Sequence, residues 1–117
     1  MTWDMHTKSS VLLTVRLVGN NFRPAGRAVL PTLPINTPLI LEPEPTNPHD
    51  PSAIKVCVDL TNLDTGIFSS EGRVVHLGYV PRIKTAEVMS VIQGPDWAAF
   101  LTFDMTGSPL IRIESTL

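Results

Sequence analysis

Eleven prolines are spread along this chain of 117 residues, and they constrain its fold more than any other feature of the sequence. Proline breaks the interior of a helix and removes a hydrogen bond from a central strand, so this frequency argues against a helical bundle. Hydrophobic residues make up 43% of the chain and charged residues 17%, which is the composition of a globular protein. The sequence therefore predicts one small domain of short elements that prolines interrupt.

Short runs of alternating apolar and polar side chains predict strands that bury one face. In the clearest run, at residues 11–18, Leu13, Val15 and Leu17 share one side and alternate with polar residues. Six or seven strands are predicted in all, and the one at residues 27–30 is the least regular of them. The others are expected at residues 39–41, 54–59, 73–80, 98–105 and 110–114.

One principal helix is predicted at residues 83–93, because Ile83, Ala86 and Met89 recur at three-residue spacing and Gly94 follows as a stop signal. Residues 1–9 are expected to form a flexible N-terminal tail, which leaves residues 10–117 as the folded domain. Short strands with one principal helix predict a mostly β fold, either a small barrel or a β-rich α+β arrangement.

Motifs that would mark an enzyme are absent from the sequence. It contains no glycine-rich phosphate loop and no serine in the context of a nucleophile elbow. His6, His49 and His76 are scattered without a clustered partner, so no metal site is expected. We therefore expect a binding protein without catalytic activity or cofactor.

Charge and targeting signals restrict the partners and the location. The net charge is −2, which argues against wrapping long stretches of nucleic acid. The charge is uneven, since residues 1–41 hold four basic residues and one acidic residue, whereas the remaining chain holds five basic and ten acidic residues. Cys57 is expected to be a buried thiol. Without a signal peptide or an apolar segment long enough to span a membrane, we expect a cytoplasmic protein.

A proline-rich segment at residues 42–51, reading EPEPTNPHDP, stands out between two predicted strands. Each proline fixes its own φ, and the residue before a proline is restricted to extended geometry. Asn47 and Asp50 both precede a proline. The segment is therefore predicted to be a stiff loop that presents these two side chains in fixed positions.

Two stretches carry a resemblance to a known family. Residues 44–56 read EPTNPHDPSAIKV, and residues 77–82 read LGYVPR. Together they resemble the HIRAN domain, whose hallmark is an EPxNPxDxNAIxV stretch followed some twenty residues later by a VGYIP-like stretch. Residues 18–23, VGNNFR, are similar to the first motif of the family. The resemblance covers residues 11–114.

The resemblance implies a small OB-like β-barrel that captures the 3′ end of single-stranded DNA, in the setting of DNA repair or replication-fork processing. Free-standing copies occur in bacteria and phages, and this chain is similar to that kind, because nothing flanks the domain. A helicase, a nuclease or another host protein is a further expected partner. The alternative is a protein-interaction adaptor of the kind that phages or mobile elements encode, and a small nuclease is a distant third.

The resemblance also implies roles for individual residues at the first motif and in the stiff loop. Phe22 matches an aromatic residue that stacks on a terminal base, with Arg23 beside it; the alternative for Phe22 is a place in the core. Asp50 matches a carboxylate that accepts a hydrogen bond from the 3′-hydroxyl, and a turn cap is the alternative. Asn47 is expected to brace the loop by capping its backbone.

Tyr79 and Arg82 fall where the family places contacts to the terminal nucleotide and its phosphate. The alternatives are a core tyrosine and a solvated arginine. Two positions depart from the family: His49 replaces a frequent aromatic residue, and Pro43 replaces a frequent arginine, with an acidic residue before it. These departures favour weaker binding of DNA.

Overall fold

Six antiparallel strands form one sheet in a computed structural model that describes residues 10–19, 23–61 and 73–117. The order across the sheet is β1-β6-β5-β2-β3-β4. The strands are β1 (Val11–Arg16), β2 (Pro38–Pro43), β3 (Ile54–Asp59), β4 (Val74–Tyr79), β5 (Trp97–Phe103) and β6 (Pro109–Ser115). The predicted mostly β fold is confirmed, and the ends of these six strands differ from the prediction by at most two residues.

The sheet closes into a barrel where the chain leaves β1. Val18 pairs with Tyr79 at the end of β4, the opposite edge of the sheet. The N–H of Val18 donates to the carbonyl of Tyr79 at 2.9 Å, and the N–H of Tyr79 donates to the carbonyl of Val18 at 2.7 Å. Closure of this kind removes the two open edges at the point of contact. It also brings the first motif of the sequence against the last one.

Alternate side chains of the strands fill the barrel, as the period-two runs predicted. Val56, Leu101 and Ile111 have no exposed surface, and neighbouring strands supply similar side chains to the same cluster. Burying one such side chain stabilises the fold by roughly 1.5–3 kcal/mol. Cys57 is buried as predicted, and the burial raises the pKa of its thiol.

The prediction of a strand at residues 27–30 is wrong, because this segment is helical. A short helix, α1 (Pro24–Val29), runs into a 3-10 turn (Leu30–Thr32). Pro24 occupies the first turn, where a missing N–H is harmless and its fixed φ suits a helix. An apolar run of four residues does not separate a strand from a buried helix by periodicity.

Gly26 lets α1 lie directly on β4. A Cβ atom at this position would be 2.7 Å from the carbonyl oxygen of His76 and 3.1 Å from the Cα of Leu77. Such distances are too short for a real side chain, so only glycine allows this approach. The contact fixes α1, and with it Arg23 at its beginning, against the end of the barrel.

The principal helix predicted at residues 83–93 is confirmed as α2 (Thr85–Ile92), preceded by a 3-10 turn (Arg82–Lys84). Its buried face is centred on Val88, with Thr85 and Met89 beside it, and not on the predicted row that begins at Ile83. Ile83 lies in the 3-10 turn and is 86% exposed. Among the residues that the structure describes, no helix is long and apolar enough to cross a membrane.

The predictions of a flexible N-terminal tail at residues 1–9 and of a base-stacking role for Phe22 concern residues outside those that the structure describes.

Candidate functional site

Asn47 holds the stiff loop between β2 and β3 in one conformation. Its side-chain oxygen Oδ1 accepts hydrogen bonds from the N–H of His49 at 2.9 Å and from the N–H of Asp50 at 3.1 Å. Its Nδ2 donates to Oε1 of Glu44 at 3.1 Å. At the far end of the loop, the N–H of Ala53 donates to the carbonyl of Asp50 at 3.0 Å. The backbone-capping role predicted for Asn47 is therefore observed.

Asp50 uses its two carboxylate oxygens differently. Oδ1 accepts the N–H of Ser52 at 2.9 Å, which is the turn-capping bond expected as one reading of this residue. Oδ2 lies 3.7 Å from Nε of Arg82 in an ion pair that is too long for a hydrogen bond. The side chain of Arg82 is 82% exposed and that of Asp50 is 22% exposed. Asp50 is therefore fixed, whereas Arg82 has room to move.

A cleft of about 350 Å³ opens at this end of the barrel. Four segments meet around it: the chain after β1, the start of α1, the stiff loop, and the end of β4 with the turn after it. Six of the seven residues predicted to form the site line it, namely Arg23, Asn47, His49, Asp50, Tyr79 and Arg82. Sequence reasoning missed the apolar part of the lining, which consists of Val18, Ala53 and Val80.

Tyr79 connects Arg23 to Glu44 beside the cleft. Nη2 of Arg23 donates to the Tyr79 hydroxyl oxygen at 3.1 Å, and the guanidinium carbon lies 5.5 Å from the centre of the tyrosine ring. The Tyr79 hydroxyl and the Glu44 carboxylate also interact closely enough to shift each other's pKa. Partial burial, and then the neighbouring Glu44, raise the pKa of Tyr79. Tyr79 is half-buried, so it both supports the cleft and faces it.

Glu44 is a further residue beside this site to which sequence reasoning assigned no role. Partial burial acts to raise the pKa of its carboxyl group, but the hydrogen bonds from Asn47 and Tyr79 outweigh it and hold the pKa below its usual value. Glu44 is therefore ionised at neutral pH. Its position at the start of the EPTNP stretch was the available signal, but the contact with Tyr79 depends on how the barrel closes.

The ring of His76 packs against the ring of Tyr79. The two rings meet edge to face with their centroids 4.9 Å apart. Nε2 of His76 lies 2.9 Å from the carbonyl oxygen of Gly78, so Nε2 carries the proton and donates it. Burial lowers the pKa of His76, which keeps the ring neutral at physiological pH.

The two departures from the family pattern fall at different places. His49 lines the cleft, is exposed and can offer its ring to a ligand. Pro43 belongs to β2 and pairs with Ile54, and neither it nor Glu42 is among the cleft-lining residues. Glu42 forms an ion pair with Lys55 at 3.0 Å. Lys55 therefore neutralises the charge of Glu42 outside the cleft.

Within residues 10–19, 23–61 and 73–117, no group of three or more histidine, cysteine, aspartate or glutamate residues could hold a metal ion. The charged groups of the cleft are instead two arginines and one lining carboxylate, with Glu44 behind Tyr79. Such a set can bind an anion and a hydroxyl group close together.

Comparison with known proteins agrees with this geometry. The family model described as the HIRAN domain matches residues 11–104. A crystal structure of a protein from Lactobacillus plantarum is similar with a TM-score of 0.58 and 23% identity, over 92% of this chain and 97% of that one. The crystal structure of the HIRAN domain of human HLTF is similar with a TM-score of 0.53 and 20% identity, over 91% and 78%. At this identity the two structures show a shared fold. No curated protein matches.

Proposed function

The chain belongs to the HIRAN domain family, whose members are known as DNA-binding modules, and from this premise we propose that its cleft binds the free 3′-OH end of single-stranded DNA. HIRAN domains are binding rather than catalytic domains, and we propose the same for this chain. The observation that carries the proposal is the meeting of six residues from three separate motifs in one cleft, where a largely buried carboxylate lies next to an exposed arginine.

Asp50 would read the terminal hydroxyl. Its Oδ1 is held by Ser52, whereas its Oδ2 lies too far from Arg82 for a hydrogen bond and so keeps acceptor capacity for a hydroxyl donor. A hydrogen bond from a hydroxyl to an ionised carboxylate is stronger than a neutral one. A phosphate at the same position would be repelled. The Asn47 cap holds the loop in place before binding, so little ordering entropy is lost.

The other lining residues would hold the last nucleotides. Arg82 is exposed enough to turn toward a phosphate, and Arg23, which donates to the Tyr79 hydroxyl, also lines the cleft. His49 offers an exposed ring on which a base can stack. We also propose that Phe22 stacks on the terminal base. The Phe22→Ala variant should then bind single-stranded DNA more weakly by about 1–3 kcal/mol, whereas the Phe22→Trp variant, which keeps an aromatic ring, should bind it as the wild-type protein does.

The family setting supports a role in DNA repair or replication-fork processing in the cytoplasm, together with a helicase or nuclease partner. The alternative is an adaptor that uses the same barrel on a host protein. This second function is favoured by two features: the positive and negative charges at the cleft nearly cancel, and the net charge of the chain is −2.

Matched oligonucleotides test the proposal. Labelled single strands that differ only in a 3′-OH, a 3′-phosphate or a 5′-phosphate are titrated with the protein at low salt. We expect tight binding of the 3′-OH strand, much weaker binding of the 3′-phosphate strand and no effect of the 5′-phosphate. Asp50→Ala should weaken binding and remove the difference. Equal binding of the two 3′ ends would refute end recognition, and no binding at low salt would favour the adaptor.

A further inference from the structure

We propose that Glu44 is a positioning residue that sets the selectivity of the cleft by holding its two walls at a fixed separation. One wall is the stiff loop that carries Asp50. The other is the end of β4, with Arg23 attached to it through Tyr79. The inference rests on the proposed function and extends it to a residue that does not line the cleft.

The contacts of Glu44 reach both walls. Its Oε1 accepts from Nδ2 of Asn47 at 3.1 Å, and the same Asn47 side chain caps the N–H of Asp50. Its carboxylate also interacts with the Tyr79 hydroxyl, whose oxygen accepts from Nη2 of Arg23 at 3.1 Å. A single side chain thus connects the loop that carries Asp50 to an arginine that also lines the cleft.

The backbone of Glu44 is anchored independently of its side chain. The N–H of Glu44 donates to the carbonyl of Ala53 at 2.9 Å, and the carbonyl of Glu44 accepts from the N–H of Asn47 at 3.0 Å. These bonds close the loop whatever side chain is present at this position. A change of the side chain should therefore loosen the link between the walls while leaving the barrel folded.

Only a charged acceptor satisfies all of these donors well. An ionised carboxylate makes stronger hydrogen bonds than a neutral amide. Its negative charge also offsets the positive charge of Arg23, which it reaches through Tyr79. Glu44→Gln keeps the size and one acceptor oxygen, whereas Glu44→Ala removes the link. We therefore expect the loss of 3′-OH over 3′-phosphate selectivity to be partial in the first variant and larger in the second.

The first measurement is a spectroscopic titration without DNA. Tyr79 is the only tyrosine of the chain, so the ultraviolet absorbance change of tyrosine ionisation reports on this residue alone. Because Glu44 raises the pKa of Tyr79, the titration midpoint of Glu44→Gln should move down toward the ordinary tyrosine value. The matched control is Glu42→Gln, which removes a glutamate two positions away that pairs with Lys55. Its midpoint should match that of the wild-type protein.

The second measurement is the ratio of affinities for 3′-OH and 3′-phosphate strands. Losing one charge-assisted link should reduce this ratio on the order of 3- to 10-fold in Glu44→Gln, with no change in Glu42→Gln. Tyr79→Phe removes the hydroxyl with little loss of volume and should reduce the ratio similarly. The double variant should be no worse than either single one, because both changes cut the same link.

The outcomes separate this inference from the proposed function. An unchanged tyrosine midpoint in a folded Glu44→Gln protein, checked by circular dichroism, would overturn the link between Glu44 and Tyr79. A shifted midpoint with an undiminished affinity ratio would overturn the role in selectivity. If the wild-type protein bound neither strand, the proposed function would fail and the role of Glu44 in selectivity with it, while the titration would still decide whether Glu44 holds Tyr79.

Discussion

The side chain of Arg82 has two possible partners in the proposed complex, and this determines what its removal should do. In the free protein it pairs loosely with Asp50 at 3.7 Å while remaining 82% exposed. An exposed ion pair of this kind contributes little to stability. When DNA binds, the guanidinium can turn to a phosphate and leave the carboxylate to the terminal hydroxyl.

We therefore predict that Arg82→Gln weakens binding of the 3′-OH strand and lowers the slope of log affinity against log salt by about 0.7. The stability of the protein should be nearly unchanged. The matched control is Lys84→Gln, a basic residue of the same turn that pairs with Glu87 at 3.4 Å and does not line the cleft. Fluorescence anisotropy at several salt concentrations measures both variants. An equal loss of salt dependence in the two variants would contradict a specific phosphate contact by Arg82.

Individual residues of the cleft were predictable because short motifs contain them, but their partners were not. The spacing around Asn47 and Asp50 indicated a braced loop, and the observed caps agree. The pairing of Glu44 with Tyr79 joins residues 35 positions apart. No local pattern encodes that distance, because it depends on which strands become neighbours.

Among the elements, α1 has the greatest consequence for the cleft. Its place against β4 depends on Gly26, whose missing side chain allows a close backbone approach. The prediction of a strand here failed because the segment is too short for its periodicity to be informative. The six strands of the sheet were recognisable because most of them place apolar residues at alternate positions, as β2, β5 and β6 do.

Gly26→Ala is predicted to destabilise the protein by about 1–3 kcal/mol, the usual cost of forcing a methyl group into a packed site. The methyl group would lie 2.7 Å from a backbone oxygen that cannot rotate away. Because α1 carries Arg23 at its start, DNA binding should weaken as well. Gly94→Ala is the control, since its Cβ would meet its nearest atom, the carbonyl oxygen of Val91, at 4.0 Å. Urea unfolding of both variants tests this prediction, and similar midpoints would refute it.

At the scale of the whole molecule, barrel closure turns three separated motifs into one site. Val18 and Tyr79 pair across the two edges of the sheet, and the first motif thereby reaches the loop and the end of β4. Hydrophobic periodicity predicts which residues face inward, but it does not say which edge strands meet. The resemblance to the HIRAN family supplied that information in advance, as an expected OB-like barrel.

The stability of the molecule should fall in acid. Burial lowers the pKa of His76, so the unfolded state binds more protons below about pH 6.5 and stability declines there. The pKa values of Glu44, Asp59 and Asp104 are also lowered, by their hydrogen bonds, and add to the loss below about pH 4.5. Urea unfolding between pH 4 and 8 measures this. His76→Gln should flatten the decline between pH 6.5 and 5. A stability that rises on acidification would contradict the assignment.

The net charge of −2 leads to a prediction about DNA without ends. Non-specific binding to single strands depends on neutralising many phosphates, and the described residues that line the cleft include two arginines, Arg23 and Arg82, for this purpose. Contacts with the terminal hydroxyl should therefore supply most of the affinity. A circular single strand has the same phosphates and bases as a linear strand but lacks a terminus. We expect the circle to compete poorly with a labelled 3′-OH strand, and cutting the same circle once, to leave a 3′-OH, should restore competition. Equal competition by the intact and the cut circle would show that the protein binds along the strand and not at its end.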